Sequence, residues 1–220
     1  KKFKKLLKYS KLRLEEKNLI TFLSGLLVGF LVALPVGAIA IICINRTLEY
    51  GKISGYFSGL GAATADLIYG LIAIYSLTAI SGQALVNQPV LRLAGGLCII
   101  FIGARMMIGK KSSSETVIVT HETNIKDFIS TFLITLSNPI TMIAFVAALS
   151  NINYLFQEIN FFHSSILVLG IFSGSMLWWV ILVNISLSFK KYLSNLFVRR
   201  INIISGLIIL CIGLYLIISI

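Results

Sequence analysis

Acidic side chains are scarce in this chain: 8 Asp and Glu stand against 19 Lys and Arg, and charged residues of both signs make up only 12% of 220 residues. A soluble domain carries about a quarter charged residues, so a fully water-facing surface is excluded. Cysteine is sparse too, with Cys43, Cys98 and Cys211 standing singly in apolar runs, without Cys-x-x-Cys or Cys/His spacing. That excludes a disulfide framework and a thiolate metal cage, and leaves core packing as their expected role. The two histidines, His121 and His163, lie in or beside joints with no second ligand at useful spacing, so no metal site is expected. No nucleophile, base and orienting group can be proposed together, so no catalytic residue, enzyme activity or cofactor is expected.

What is abundant is apolar surface. The chain is 57% hydrophobic with a mean hydropathy of +0.95, more than one soluble core of this length can hide. Lipid is the solvent such a composition needs. The net charge of +11 is no nucleic-acid signature, because eight Lys and Arg lie in the first eighteen positions and the rest border apolar runs. Anionic headgroups are the expected partner. No small-residue cleavage site stands out after the first apolar stretch, so that segment is expected to remain in the mature protein.

Six runs are long enough to span a bilayer: about Leu19–Asn45, Ile53–Ile80, Val90–Gly109, Phe128–Ser150, Phe161–Phe189 and Ile201–Ile220. The one sizeable polar joint, Lys110–Asp127, divides them three and three. Pairing Pro35 with Pro139, Gly61 with Gly170, Gly96 with Gly206 and Gly103 with Gly213 gives offsets of 104, 109, 110 and 110. Such regular offsets suggest duplication, and an odd number of helices per half inverts the second half. The expected fold is therefore an all-α membrane protein with about six transmembrane helices as two inverted three-helix repeats. A basic cytoplasmic or interfacial tail occupies 1–18 and the transporter domain 19–220, with repeat one at 19–109, a linker at 110–125 and repeat two at 126–220. A homodimer is compatible, with no GxxxG face clear enough to argue for it.

The positive-inside count conflicts with itself. The tail holds eight Lys and Arg, while the joints after segments one, three and five hold ten, from Arg46 to Arg200, against Arg92 alone in the other two. Six simple spans cannot place both groups inside. The tail's Phe3, Leu6, Leu7 and Leu14 also fall near helical spacing among lysines, as an interfacial helix or a solvated topogenic tail would.

Asp66 reads as the only carboxylate deep inside a segment. An ionised Asp at a helix centre costs about 2.5 to 3.5 kcal/mol on insertion scales, so it must face a partner, a bound proton or cation, or a wet cavity. Capping a neighbouring broken helix is the plainer alternative. Helix breaks are expected at Leu34-Pro35-Val36-Gly37 and Ser137-Asn138-Pro139, at corresponding places in the two halves. Proline removes a backbone donor, and backbone groups freed in lipid are tolerated only inside protein or along a cavity. Half-helix N-termini there suit a carboxylate and bare carbonyls suit a cation or ammonium; kinking for packing alone is the alternative. Arg46, at the end of segment one, reads as a headgroup anchor or as a guard at a cavity mouth. Thr135, Ser173 and Asn184 read as cross-helix hydrogen bonders, and Tyr69, Trp178 and Trp179 as packing or cavity-lining aromatics.

With these residues the chain resembles the lysine-exporter (LysE) family of amino-acid export translocators, which includes the homoserine/threonine exporter branch. The matching positions are Pro35-Val36-Gly37, Arg46 followed by Gly51, Gly59-Leu60-Gly61 through Asp66, and Asn138-Pro139. The resemblance covers about residues 19–220. Two departures stand out: Val36-Gly37 where the family has Gly-Pro after the first proline, and Ile140 where it often has Lys. The resemblance implies export of amino acids or similar small metabolites from bacterial cells across the cytoplasmic membrane by proton-coupled alternating access. Asp66 would be the proton or cation site, and Pro35, Gly37, Asn138 and Pro139 would hold the substrate backbone.

A membrane thiol–disulfide carrier needs a reactive cysteine in each half, and the fourth segment has none. A divalent-metal exporter of the same superfamily would want several ligands converging with Asp66. A non-transporting membrane scaffold is the third alternative, distinguished by whether a polar cavity reaches Asp66.

Overall fold

The computed structural model describes residues 2–35, 37–84, 88–108, 123–150, 161–188 and 195–218. Among them all regular structure is helical: α1 (Lys2–Ala33), α2 (Ala38–Tyr50), α3 (Lys52–Ala84), α4 (Gln88–Ile108), α5 (Asn124–Leu136), α6 (Pro139–Ser150), α7 (Phe161–Ser188) and α8 (Asn195–Ile218). Apolar runs in lipid must satisfy their own backbone, and a helix does so locally. Val36, His121 and most of the expected linker lie outside the described residues, as do the tail side chains through Arg13. The backbone of α1 passes without interruption from the basic tail into the apolar span Leu14–Ala33.

Three helices are long and apolar enough to cross a membrane, within Leu14–Ala33, Lys52–Tyr75 and Phe161–Ser188. The pair Asn124–Leu136 and Pro139–Leu149, bent by 66°, makes a fourth if it is one span. The apolar stretches described in α4 and α8, Gly95–Ala104 and Ile203–Tyr215, are shorter. Against the expected six, the described residues therefore give three clear spans, or four.

Both proline positions interrupt the chain. α1 stops at Ala33 because Pro35 has no amide hydrogen and disfavours helical geometry before it; the Gly37 amide then donates to the Pro35 carbonyl at 3.0 Å. α5 stops at Leu136, and the Ser137 and Asn138 amides donate back to Leu133 and Thr135 at 2.9 and 3.0 Å. Pro139 takes the first position of α6, where a missing donor costs nothing, and the Asn138 Oδ1 caps the helix by accepting from the Ile140 amide at 3.1 Å. Gly51, at φ 94°, turns α2 back onto α3.

Packing follows small residues. α1 crosses α7, α3 crosses α5 and α7, and α4 crosses α8. A Cβ on Gly25 or Gly29 would strike the backbone of Leu167 or Ile171, and one on Gly170 or Gly174 the backbone of Phe22 or Leu26. These are two GxxxG faces, Gly25/Gly29 and Gly170/Gly174, locked together within one chain. The expectation that no clear GxxxG face exists is thus corrected: the motifs are present, and they join the halves. Cys43 is fully buried as expected, whereas Cys211 lies on the exposed side of α8 and packs no core.

Candidate translocation site

α3 carries three polar stations. At the first, Ser54 and Ser58, one turn apart, face Arg46 in the last turns of α2 and Asp127 in the first turn of α5. Asp127, Ser130 and Thr131 share one face of α5 by their i, i+3, i+4 spacing. The Arg46 Nη1 donates to Ser58 Oγ at 3.1 Å, to the Asp127 carbonyl at 3.0 Å and to Thr131 Oγ1 at 2.9 Å, and its Nη2 donates to Ser130 Oγ at 2.8 Å. The Arg46 Nε lies 3.1 Å from Asp127 Oδ1, an ion pair without the alignment of a hydrogen bond. Ser54 Oγ donates to Asp127 Oδ2 at 2.6 Å. The Arg46 and Asp127 side chains are 6% and 0% exposed.

This arrangement does not suit a headgroup anchor, which needs its guanidinium among solvated phosphates. Asp127 is the member of this cluster that sequence reasoning missed: it reads as the end of a solvated joint and as an ordinary favourable acid at a helix N-terminus. A signal existed in Asp127-Thr131-Thr135, a polar stripe at i, i+4, i+8 along one face of α5, all three buried.

The second station is Asp66, about 12 Å along the helix from Ser58 at 1.5 Å per residue. Asp66 is 3% exposed, and its Oδ2 accepts a 2.6 Å hydrogen bond from Ser175 Oγ of α7. Ser175 in turn accepts from Trp179 Nε1 at 3.2 Å. This satisfies part of the cost of a carboxylate in a helix interior, and the charged form needs more than one hydroxyl.

The third station is Tyr69, on the next turn. Its hydroxyl donates to the Leu136 carbonyl at 2.5 Å and lies 3.4 and 3.3 Å from the carbonyls of Thr135 and Asn138. The Leu136 carbonyl is the group freed where α5 ends, because the Ile140 amide that would have reached it turns to Asn138 Oδ1, so Tyr69 caps the second break instead of merely packing. Asn138 and Pro139 are thereby brought beside the Asp66 helix. Pro35 and Gly37 are at a separate place, where Gly37 is exposed and provides no side-chain cap for α2. The cluster around that first break joins Ala33 and Ala40 to Trp178, with Leu34 and Ile39 packed on it. Trp178 meets the Phe30 ring edge-on at 5.8 Å, and its buried Nε1 has no acceptor.

Asn184 bonds Tyr56 across helices at 3.1 Å, whereas Ser173 and Thr135 bond carbonyls of their own helices. Among the described residues no three His, Cys, Asp or Glu side chains converge as metal ligands.

A bundle of apolar helices with two of them interrupted, and with ionisable groups turned inward, is the construction of a small-solute translocator. The chain belongs to the LysE type translocator family, which it matches over residues 30–220. It is similar to the "Putative amino acid efflux protein YcgF" of Bacillus subtilis (strain 168), 25% identical over 198 residues that cover 88% of this chain and 93% of that protein. It is also similar to the "Uncharacterized membrane protein YrhP" of the same organism, 25% identical over 199 residues, 84% of this chain and 92% of that one. No solved structure matches. The chain is a multi-pass membrane transporter.

Proposed function

We propose that this transporter exports an amino acid or a similar small metabolite across the bacterial cytoplasmic membrane by alternating access, coupled to protons through Asp66. The observation that carries the reading is the pair of interrupted helices at Pro35/Gly37 and Asn138/Pro139, with a carboxylate 3% exposed on the helix between them. Buried ionisable groups in a membrane mark pathways and proton relays. The relative described as an amino acid efflux protein supports the substrate class.

Six spans as two inverted repeats agree with the way the helices pair. Exchanging segments one, two and three with four, five and six turns the α1–α7 crossing into α5–α3 and returns α4–α8 and α3–α7 to themselves. Gly61 lies against the backbone of Phe128 and Phe132, and Gly170 against that of Phe22 and Leu26. Asp66 and Ser175, separated by 109 positions like Gly61 and Gly170, meet where α3 crosses α7.

The two breaks differ in how far their backbone is satisfied. Tyr69 holds the carbonyls of the second, while at the first Gly37 supplies no side-chain cap and the Trp178 indole N–H is free. The N-terminus of α2 is therefore our place for the substrate carboxylate, with the Asn138/Pro139 break as the moving joint. Arg46 with Asp127 fastens α2 to α5 at one end of the pathway.

Efflux of labelled amino acids from cells carrying the wild type, Asp66→Asn or an empty vector tests this. Accelerated efflux of one class, abolished by Asp66→Asn and by a protonophore, is expected. Equal efflux from wild type and vector for every amino acid would overturn the reading.

A further inference from the structure

A cavity of about 220 Å³ opens beside the first break. Its walls come from both halves: Val32 and Pro35 at the end of α1, Ile99 on α4, Ala144 and Ala148 on α6, and Ile209 on α8. Among the described residues no charged or polar side chain lines it. The alanines, one turn apart, make the space, since any larger residue at either position would fill it. Ile140, one further turn back along the same stripe of α6, extends the apolar face to the second break.

We propose that this cavity receives the substrate's side chain, and that the transported amino acids are those with aliphatic or aromatic side chains. The inference rests on the amino-acid export reading and narrows it. Pro35 is at once part of the break and part of the cavity wall, so a carboxylate held at the uncapped start of α2 leaves its side chain beside this space. A dry cavity of roughly 150 Å³ holds a benzene-sized molecule, so about 220 Å³ takes an isobutyl or benzyl group. A Lys, Glu or Gln side chain would bring in a charge or amide with nothing to pair it, and burying such a group unpaired in an apolar space is costly. The ionisable side chains nearest the pathway do not relieve this, because Asp66 is bonded to Ser175 and Arg46 to Asp127 and its neighbours. Because helices of both halves form the wall, rocking one half against the other would open or collapse the space.

The test is counterflow of labelled amino acids in proteoliposomes containing the purified full chain, with Ala148→Phe and Ile99→Ala beside the wild type. Leucine, valine and phenylalanine are expected to move at least tenfold faster than lysine, glutamate and glutamine. Ala148→Phe should lose leucine and phenylalanine transport while keeping alanine, and Ile99→Ala should admit tryptophan. The wild-type panel decides even if a variant fails to fold. Transport confined to charged or polar amino acids, or a phenylalanine at 148 that leaves leucine transport unchanged, would overturn the cavity's role and leave the export reading standing. Transport of no amino acid would overturn both. A phospholipid that co-purifies with the wild type and is lost from Ala148→Phe, without change in transport, would assign the cavity to a lipid tail and overturn the proposal.

Discussion

Arg46 and Asp127, 81 positions apart in the chain, form an ion pair at 3.1 Å with both side chains almost wholly removed from solvent. Ser54, Ser58, Ser130 and Thr131 surround the pair with hydroxyls, so each charge has several partners and neither faces lipid. The contact ties the first half of the chain to the second.

Removing one member of this pair strands the other. Arg46→Ala or Asp127→Asn is expected to destabilise the protein by about 3–5 kcal/mol. The double variant should lose less than the sum, because no uncompensated charge remains. Arg46→Lys should behave nearly as badly as Arg46→Ala, since an ammonium cannot reproduce the fork that serves Ser58, Thr131 and Ser130. Thermal unfolding of the four variants in one detergent measures this, and additive single losses would contradict it.

Ser175→Ala probes the Asp66 station from the other side. It removes the hydroxyl that donates to the carboxylate and accepts from Trp179. Loss of a hydrogen bond to a charged group costs about 1.5–3 kcal/mol. We expect transport to survive with a changed pH profile, in contrast to the outright loss in Asp66→Asn. An unchanged profile would show that Ser175 does not act on Asp66.

Tyr69→Phe keeps the ring and removes the hydroxyl that holds the Leu136 carbonyl. An unsatisfied buried acceptor costs about 1–3 kcal/mol. A lower unfolding midpoint together with slower transport is expected if the second break is a moving joint. A lower midpoint with normal transport would make Tyr69 structural only.

Glycines at the crossings should divide sharply by position. Gly170→Ala places a methyl group against the backbone of Phe22 and Leu26, which cannot move aside as a side chain can. Overpacking of this kind costs about 1–3 kcal/mol. Gly37→Ala meets nothing within 4 Å and should leave stability unchanged within about 0.5 kcal/mol. Any fall in transport by Gly37→Ala would then report on access to the start of α2.

Much of this protein was legible along the chain. The apolar runs and the scarcity of charge require lipid, because no soluble core of this size could hold them. Both breaks follow from local chemistry, since Pro35 and Pro139 lack an amide hydrogen wherever the rest of the chain goes. Asp66 stands out because any carboxylate within an apolar run needs compensation. Partners, however, are a matter of which helix lies opposite, and a helical period gives a face without saying what that face meets. Asp127 reads as a solvated acid in a first turn until α5 is laid against α3, an approach that Gly61 permits by letting the Phe128 backbone come close. The same holds for Ser175 beneath Asp66 and for Tyr69 over the freed Leu136 carbonyl of α5. Gly25, Gly29, Gly170 and Gly174 form matching faces in the sequence, but only the tertiary structure decides that they pair within one chain instead of between two. Sequence determined where the helices break and which groups cannot face lipid; the folded bundle decided what each of them meets.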